Sequence, residues 1–169
     1  MRPTLEELTA LREQGRSLQD MELLEEARSG LLALAADEPG NARALYQAGI
    51  AHDNVGLGRE AIPYYEKALQ LGLAGAERER CLMGLGSTYR YWGRYDEAIE
   101  TLRTGIAEFP ANLPMRVFLS MALYNRGDSK ESVELLIRTL LEASDDEKLR
   151  YFSRGILAYA EDLDERAEG

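Results

Sequence analysis

Apolar residues recur three and four positions apart along most of the chain, and the runs break at regular places. From Glu79 to Asn112 the apolar positions are Leu82, Leu85 and Tyr89, then Ala98, Leu102, Gly105 and Ile106, with Trp92-Gly93-Arg94 between the two sets. That spacing predicts two amphipathic helices around one turn. Phe109-Pro110 closes the second helix, because proline cannot continue it. The unit is a helical hairpin, and it repeats. A small residue returns at Ala27, Ala61, Ala98 and Ser132, and a Gly or Ser returns at Gly15, Gly49, Gly86 and Ser120. Helices that cross closely need small side chains there, since a larger one overpacks by about 1 to 3 kcal/mol. A hairpin of this length cannot bury its apolar face alone, so copies must stack on one another.

The copies differ in instructive ways. Residues 42–78 carry the pattern through Leu45, Ala48-Gly49, His52, Gly56, Ala61, Tyr65 and Ala68, then replace the closing proline by Leu71-Gly72-Leu73-Ala74-Gly75-Ala76. This predicts a lengthened connection, and its glycines suggest a place where the array could flex. Pro63 falls inside the second helix of that unit and predicts a late start or a bend. Residues 113–146 keep Leu119-Ser120, Leu123, Gly127, Ser132, Leu136 and Leu140 but put Arg116 and Thr139 at apolar or small positions. Residues 8–41 fall in phase through Leu11, Gly15, Leu18, Ala27, Leu31, Leu34 and Pro39, with Glu22 in place of the turn glycine. Beyond Asp146, the apolar face formed by Leu149, Phe152, Ile156, Leu157, Ala160 and Leu163 predicts a capping helix over 147–163 whose opposite, charged face solvates the end of the stack. The acidic run from Glu161 to Gly169 is expected to fray.

The order Leu82, Leu85-Gly86, Tyr89, Ala98, Leu102, Gly105, Pro110 resembles the tetratricopeptide repeat signature, and the resemblance extends over residues 8–146. It implies a single all-α domain, a right-handed α-solenoid of four helix-turn-helix repeats (8–41, 42–78, 79–112 and 113–146) with the C-terminal capping helix. It also implies a concave groove lined by the second, fifth, ninth, twelfth and thirteenth positions of each unit. In this chain those positions include Arg12 and Arg16; Arg43, Tyr46, Ile50 and Asn54; Arg80, Met83, Ser87, Arg90 and Tyr91; and Val117, Met121, Tyr124 and Asn125. Thr9, Gln19, Asp20, Asp53 and Pro114 complete the set, and the capping helix adds Lys148, Tyr151 and Tyr159. The pattern departs from the carboxylate clamp of chaperone-binding members, since Arg12 and Arg16 have the spacing but no Asn follows at the second position.

Charge sharpens the picture of this groove. The 169 residues carry a formal net charge of -10, which repels phosphate backbones and anionic lipid and argues against nucleic-acid or membrane-surface binding. The groove positions nevertheless hold Arg12, Arg16, Arg43, Arg80, Arg90 and Lys148 against only Asp20 and Asp53. Arginine forks suit carboxylates, and tyrosines and methionines give rigid and adaptable apolar contacts. An acidic, partly apolar peptide segment is therefore the expected ligand.

Other chemistry finds little footing. Cys81 is the sole cysteine and His52 the sole histidine, so neither an internal disulfide nor a zinc framework is available, and a reducing cytoplasm is the expected compartment. Gly56-Leu-Gly-Arg-Glu-Ala61 has dinucleotide-fingerprint spacing but follows a helix, not a strand, and falls at the repeat's own turn. Arg126-Gly127-Asp128 reads as another turn, with Asp128 capping the next helix ahead of Glu131. His52 takes the position of Tyr89 and Leu123 in other units, which predicts a packed histidine. The carboxylates at Glu25-Glu26 and Asp145-Asp146-Glu147 sit at helix starts or outer faces. No catalytic residue, cofactor or metal is predicted, and no stretch resembles a leader or a membrane span. The reading is a non-enzymatic scaffold or adaptor for a protein or peptide partner. The alternative is a module that self-associates through the diverged last repeat and the face bearing Tyr151, Phe152 and Tyr159.

Overall fold

The computed structural model describes residues 2–164, and those residues form helices and no strand. The elements are α1 (Leu5–Leu18), α2 (Met21–Asp37), α3 (Ala42–Asn54), α4 (Gly58–Gln70), α5 (Gly75–Tyr91), α6 (Tyr95–Glu108), α7 (Leu113–Arg126), α8 (Ser129–Ala143) and α9 (Glu147–Glu161). Successive pairs are the hairpins predicted from the apolar spacing, with α9 following them. The acidic tail from residue 165 onward lies outside the described residues.

Each hairpin turn is built the same way. At Gly56, Gly93 and Gly127 the chain takes positive φ, and the two amides that follow the helix bond back to its last carbonyls: Leu57 and Gly56 to His52 and Asp53, Arg94 and Gly93 to Tyr89 and Arg90, Asp128 and Gly127 to Leu123 and Tyr124. This double bond pattern satisfies carbonyls that the helix end would otherwise leave open, and glycine is favoured because it has no Cβ to clash. The first hairpin uses the same geometry without glycine. Gln19 sits at φ 54 with Asp20 and Gln19 amides bonded to Gly15 and Arg16, so the turn falls three residues before Glu22, the position expected for it. The displaced residues add a turn to the start of α2, where the Asp20 carboxylate accepts from the Glu22 and Leu23 amides.

The extra residues after α4 behave similarly. Gly72 at φ 83 and the Leu73 amide bonded to Ala68 form another closed helix end, with Leu73 itself buried. The chain then enters α5 at Gly75, before the expected repeat boundary at Glu79. The added length is thus mostly an extra helical turn and not a slack loop. Pro63 lies within α4, which begins at Gly58, so the helix does not start late. Asp128 occupies the start of α8 as expected but makes no side-chain cap; its carboxylate instead pairs with Arg126.

The small residues are where close packing needs them. Ala27, Ala61, Ala98 and Ser132 are all buried. A Cβ on Gly49 would lie 2.7 Å from the Tyr65 ring, and one on Gly15 would lie 3.0 Å from the Leu24 amide nitrogen. In the last hairpin Ser132 donates to the Ser120 carbonyl at 2.7 Å, which satisfies a buried hydroxyl where other copies carry alanine. The described chain divides into two compact units with the boundary between Thr88 and Tyr89, inside α5. In the first, α1 packs on α2, both touch α3, and α3 packs on α4; in the second, α6 packs on α7, α7 on α8, and α8 on α9.

Candidate functional site

The first unit turns part of the predicted groove lining inward. Arg12 is only 4% exposed and Tyr46 only 2%, so neither offers itself to a ligand as expected. Arg12 Nη1 donates to Asn54 Oδ1 at 3.0 Å, joining α1 to α3. Burial holds its guanidinium below the ordinary value, with Glu13, Tyr46 and Tyr65 opposing the shift and Arg16 adding to it. Tyr46 lies with its ring 6.3 Å from that of Tyr65, and burial pushes its hydroxyl up to about 12. Tyr65 in turn donates to Asp53 at 2.6 Å, and Thr88 adds a second bond to the same carboxylate. Burial raises Asp53 while those two bonds lower it. These side chains form a buried polar network that fixes α1, α3, α4 and the part of α5 around Thr88 in register, because each buried polar group needs its partners in place.

The arginine wall of this unit is not free of acids. Arg43 Nε donates to Glu77 at 2.9 Å and lies 3.6 Å from Glu6. Glu6 belongs to α1 and Glu77 to α5, both ahead of the expected repeat starts, so the early beginnings of those two helices supply carboxylates that counting by repeat position leaves out. Of the predicted residues in this unit, Arg16, Arg43 and Arg80 are exposed, and Ile50, Asn54, Met83 and Ser87 are half-buried. Asn54 belongs to the buried network through Arg12, and the half-buried members are less exposed than the arginines.

The second unit assembles its predicted residues around a cleft. Arg90, Met121, Tyr124 and Asn125 line it together with Ser120, Ser132, Val133 and Leu136, enclosing about 310 Å³. Arg90 Nη1 donates to Asn125 Oδ1 at 3.1 Å, while Arg90 Nε is buried without a partner. Met121, Tyr124, Val133 and Leu136 are exposed. Val117 is half-buried on the same helix, and Tyr91 is exposed with its ring edge-on to Trp92 at 5.9 Å.

Val133 and Leu136 come from α8, which the groove positions did not include. The signal was present in the repeat register. Leu136 corresponds to Leu31, Tyr65 and Leu102, all buried, whereas Leu136 is 41% exposed and Leu140 is 52% exposed. Both were expected in the core by analogy with their counterparts. Leu136 lines the cleft, so its exposure is part of that surface.

The remaining candidates are structural. The Cys81 thiol is buried, contacts the Tyr65 carbonyl at 3.8 Å and is pushed up to about 12 by burial, which leaves it without thiolate character at neutral pH. His52 packs 5.3 Å from the Tyr64 ring, its Nδ1 buried and unpartnered. Burial, followed by Arg28, lowers its pKa. Among the described residues there is no cluster of metal-ligating side chains and no helix long and apolar enough to cross a membrane.

Comparison with known proteins agrees with this architecture. The family model described as tetratrico peptide repeat matches residues 42–163, from α3 through α9. No curated protein matches the sequence. Solved structures with a similar fold include a MamA protein at 22% identity and TM-score 0.66, over 87% of this chain and 75% of that one. A MamA fragment from Desulfovibrio magneticus RS-1 is 19% identical with TM-score 0.67, over 91% and 89% of the two chains. A MamA RS-1 ArsTM double mutant is also 19% identical, with TM-score 0.63 over 93% and 97%.

Proposed function

This chain belongs to the tetratricopeptide repeat family, whose stacked hairpins serve as protein-protein interaction scaffolds, and from that premise we propose that it captures an acidic, partly apolar segment of a partner protein. The observation that carries the reading is the cleft of the second unit, where Arg90 and Asn125 stand at the rim of a surface made by Met121, Tyr124, Val133 and Leu136. Apolar side chains of the segment replace water over that surface, which gives affinity. A carboxylate of the segment meets the Arg90 guanidinium, which fixes orientation. In the first unit, Arg16 and Arg80 are exposed cations, and Arg43 is already paired with Glu77 and Glu6. No covalent chemistry enters the function, and no cofactor is needed.

Fluorescence anisotropy with a labelled peptide that alternates leucine and glutamate tests this reading. The peptide binds the wild-type chain, and its lysine-for-glutamate counterpart does not. Arg90→Glu weakens binding of the acidic peptide by about tenfold or more, since a repelling charge replaces an attracting one. Equal binding of the acidic and basic peptides, or no binding of either, removes the proposal.

A further inference from the structure

The last helix is apolar on two sides, and only one of them is used. Leu149, Ile156, Leu157 and Ala160 turn toward the body of the second unit, partly or fully buried. On the opposite side Tyr151, Phe152 and Tyr159 are 81%, 62% and 72% exposed, with Tyr151 and Phe152 edge to face at 4.9 Å. The exposed side carries the expected charges, Glu147, Lys148, Arg150, Arg154 and Glu161, but shares them with these aromatics, and Phe152, expected on the inward apolar face, is turned outward. In the centre of this aromatic stripe stands Gly155, exposed, in mid-helix, with nothing within 4 Å of the position its Cβ would take. Packing within the chain gives no reason for a helix-weakening residue there. A close approach from outside does.

We propose that the outer face of α9 pairs with the same face of a second copy, antiparallel, about a twofold axis at Gly155. Such an axis sets each residue against the one equally far on the other side of Gly155. Tyr151 then comes level with Tyr159 of the other copy, Ala158 of that copy leaves room beside Tyr151, large against small, and Phe152 lies along the flank of that copy's Tyr159. Lys148 meets Asp162, so both ends of the pair close with opposite charges. Lys148, Tyr151, Phe152, Ala158 and Tyr159 are exposed residues of α9, and Asp162 is exposed just past its end, where its Oδ1 accepts from the Asp164 amide; the two glycines bring the backbones near enough for the aromatic rings to interlock. Self-complementarity in size and in charge at one register is what an isologous contact requires, and it is why the occupant is another copy of this chain. The contact is independent of the Arg90 cleft.

Analytical ultracentrifugation of the whole chain over a concentration series tests the pairing. Wild type shows a reversible monomer-dimer equilibrium. Gly155→Arg, which removes a helix-weakening residue and has room within its own chain, keeps the far-UV helical signal and weakens dimerisation by about tenfold or more. Lys148→Asp places like charges together and weakens it; combining Lys148→Asp with Asp162→Lys restores it to within about threefold of wild type. Arg90→Glu leaves the dimer unchanged, which separates this contact from the cleft. A chain that stays monomeric at every concentration, a dimer indifferent to Gly155→Arg, or a charge exchange that fails to restore pairing overturns the proposal.

Discussion

Gln19 shows how one residue records a local compromise. It holds a left-handed conformation at φ 54 where the other hairpin turns use glycine, and a side chain there disfavours the turn through the clash of Cβ with the following carbonyl. Gln19→Gly should raise the unfolding free energy by about 1 kcal/mol in urea titration, the gain at the turn being larger than the entropy added to the unfolded chain. His52 carries a different residue-scale consequence. Its folded pKa lies below the ordinary value of 6.5 because burial disfavours the charged ring. Between the two values the unfolded chain binds more protons than the folded one, so stability rises with pH and is lost as pH falls below about 6.5. Replacing His52 by Leu, the residue at the equivalent place in the last repeat, should flatten the dependence of the melting temperature on pH in that window. An unchanged slope would assign the dependence to other groups.

Helix pairing sets the next scale. A Cβ on Gly49 would lie 2.7 Å from the Tyr65 ring, and Tyr65 is anchored by its bond to Asp53. A methyl group therefore cannot be accommodated by a simple swing of the ring. Gly49→Ala should destabilise the chain by about 1 to 3 kcal/mol, against the trend by which alanine normally strengthens a helix interior. A double-mutant cycle with Tyr65→Leu should show a coupling of similar size and opposite sign, the double mutant losing less than the sum of the two single mutants, because leucine at this place releases the contact. Pro63 predicts the opposite. It lacks the amide that α4 would use and its side chain is exposed, so Pro63→Ala should stabilise by about 1 to 2 kcal/mol after allowing for the freer unfolded chain. Loss of stability on that replacement would mean that the proline is built into the packing. The hairpins themselves were legible, since period, turn glycines and closing prolines agree. The shift of the first turn to Gln19 was not, because nothing in the side chain of glutamine marks it for positive φ.

Over the molecule as a whole, apolar exposure is uneven. Met121, Tyr124, Val133, Leu136 and Leu140, with the aromatics of α9, all belong to the second unit. The anionic dye anilinonaphthalene sulfonate should bind the native chain at the cleft beside Arg90, and Leu136→Gln should abolish that signal with little change in melting temperature, because the leucine is already half in water. Dye fluorescence unchanged by the substitution would place the accessible apolar surface elsewhere. The sequence by itself determined the repeat, its period and the small residues at the crossings, because those follow from side-chain size and from helical geometry along one chain. It also named the four residues Arg90, Met121, Tyr124 and Asn125 that the cleft gathers. Tertiary structure alone decided that Arg12 and Tyr46 are withdrawn into a polar network, that Arg43 is met by Glu6 and Glu77, and that Leu136 is left uncovered. Each depends on which distant helix lies over a residue, and burial and charge neutralisation are properties of that neighbour as much as of the residue itself.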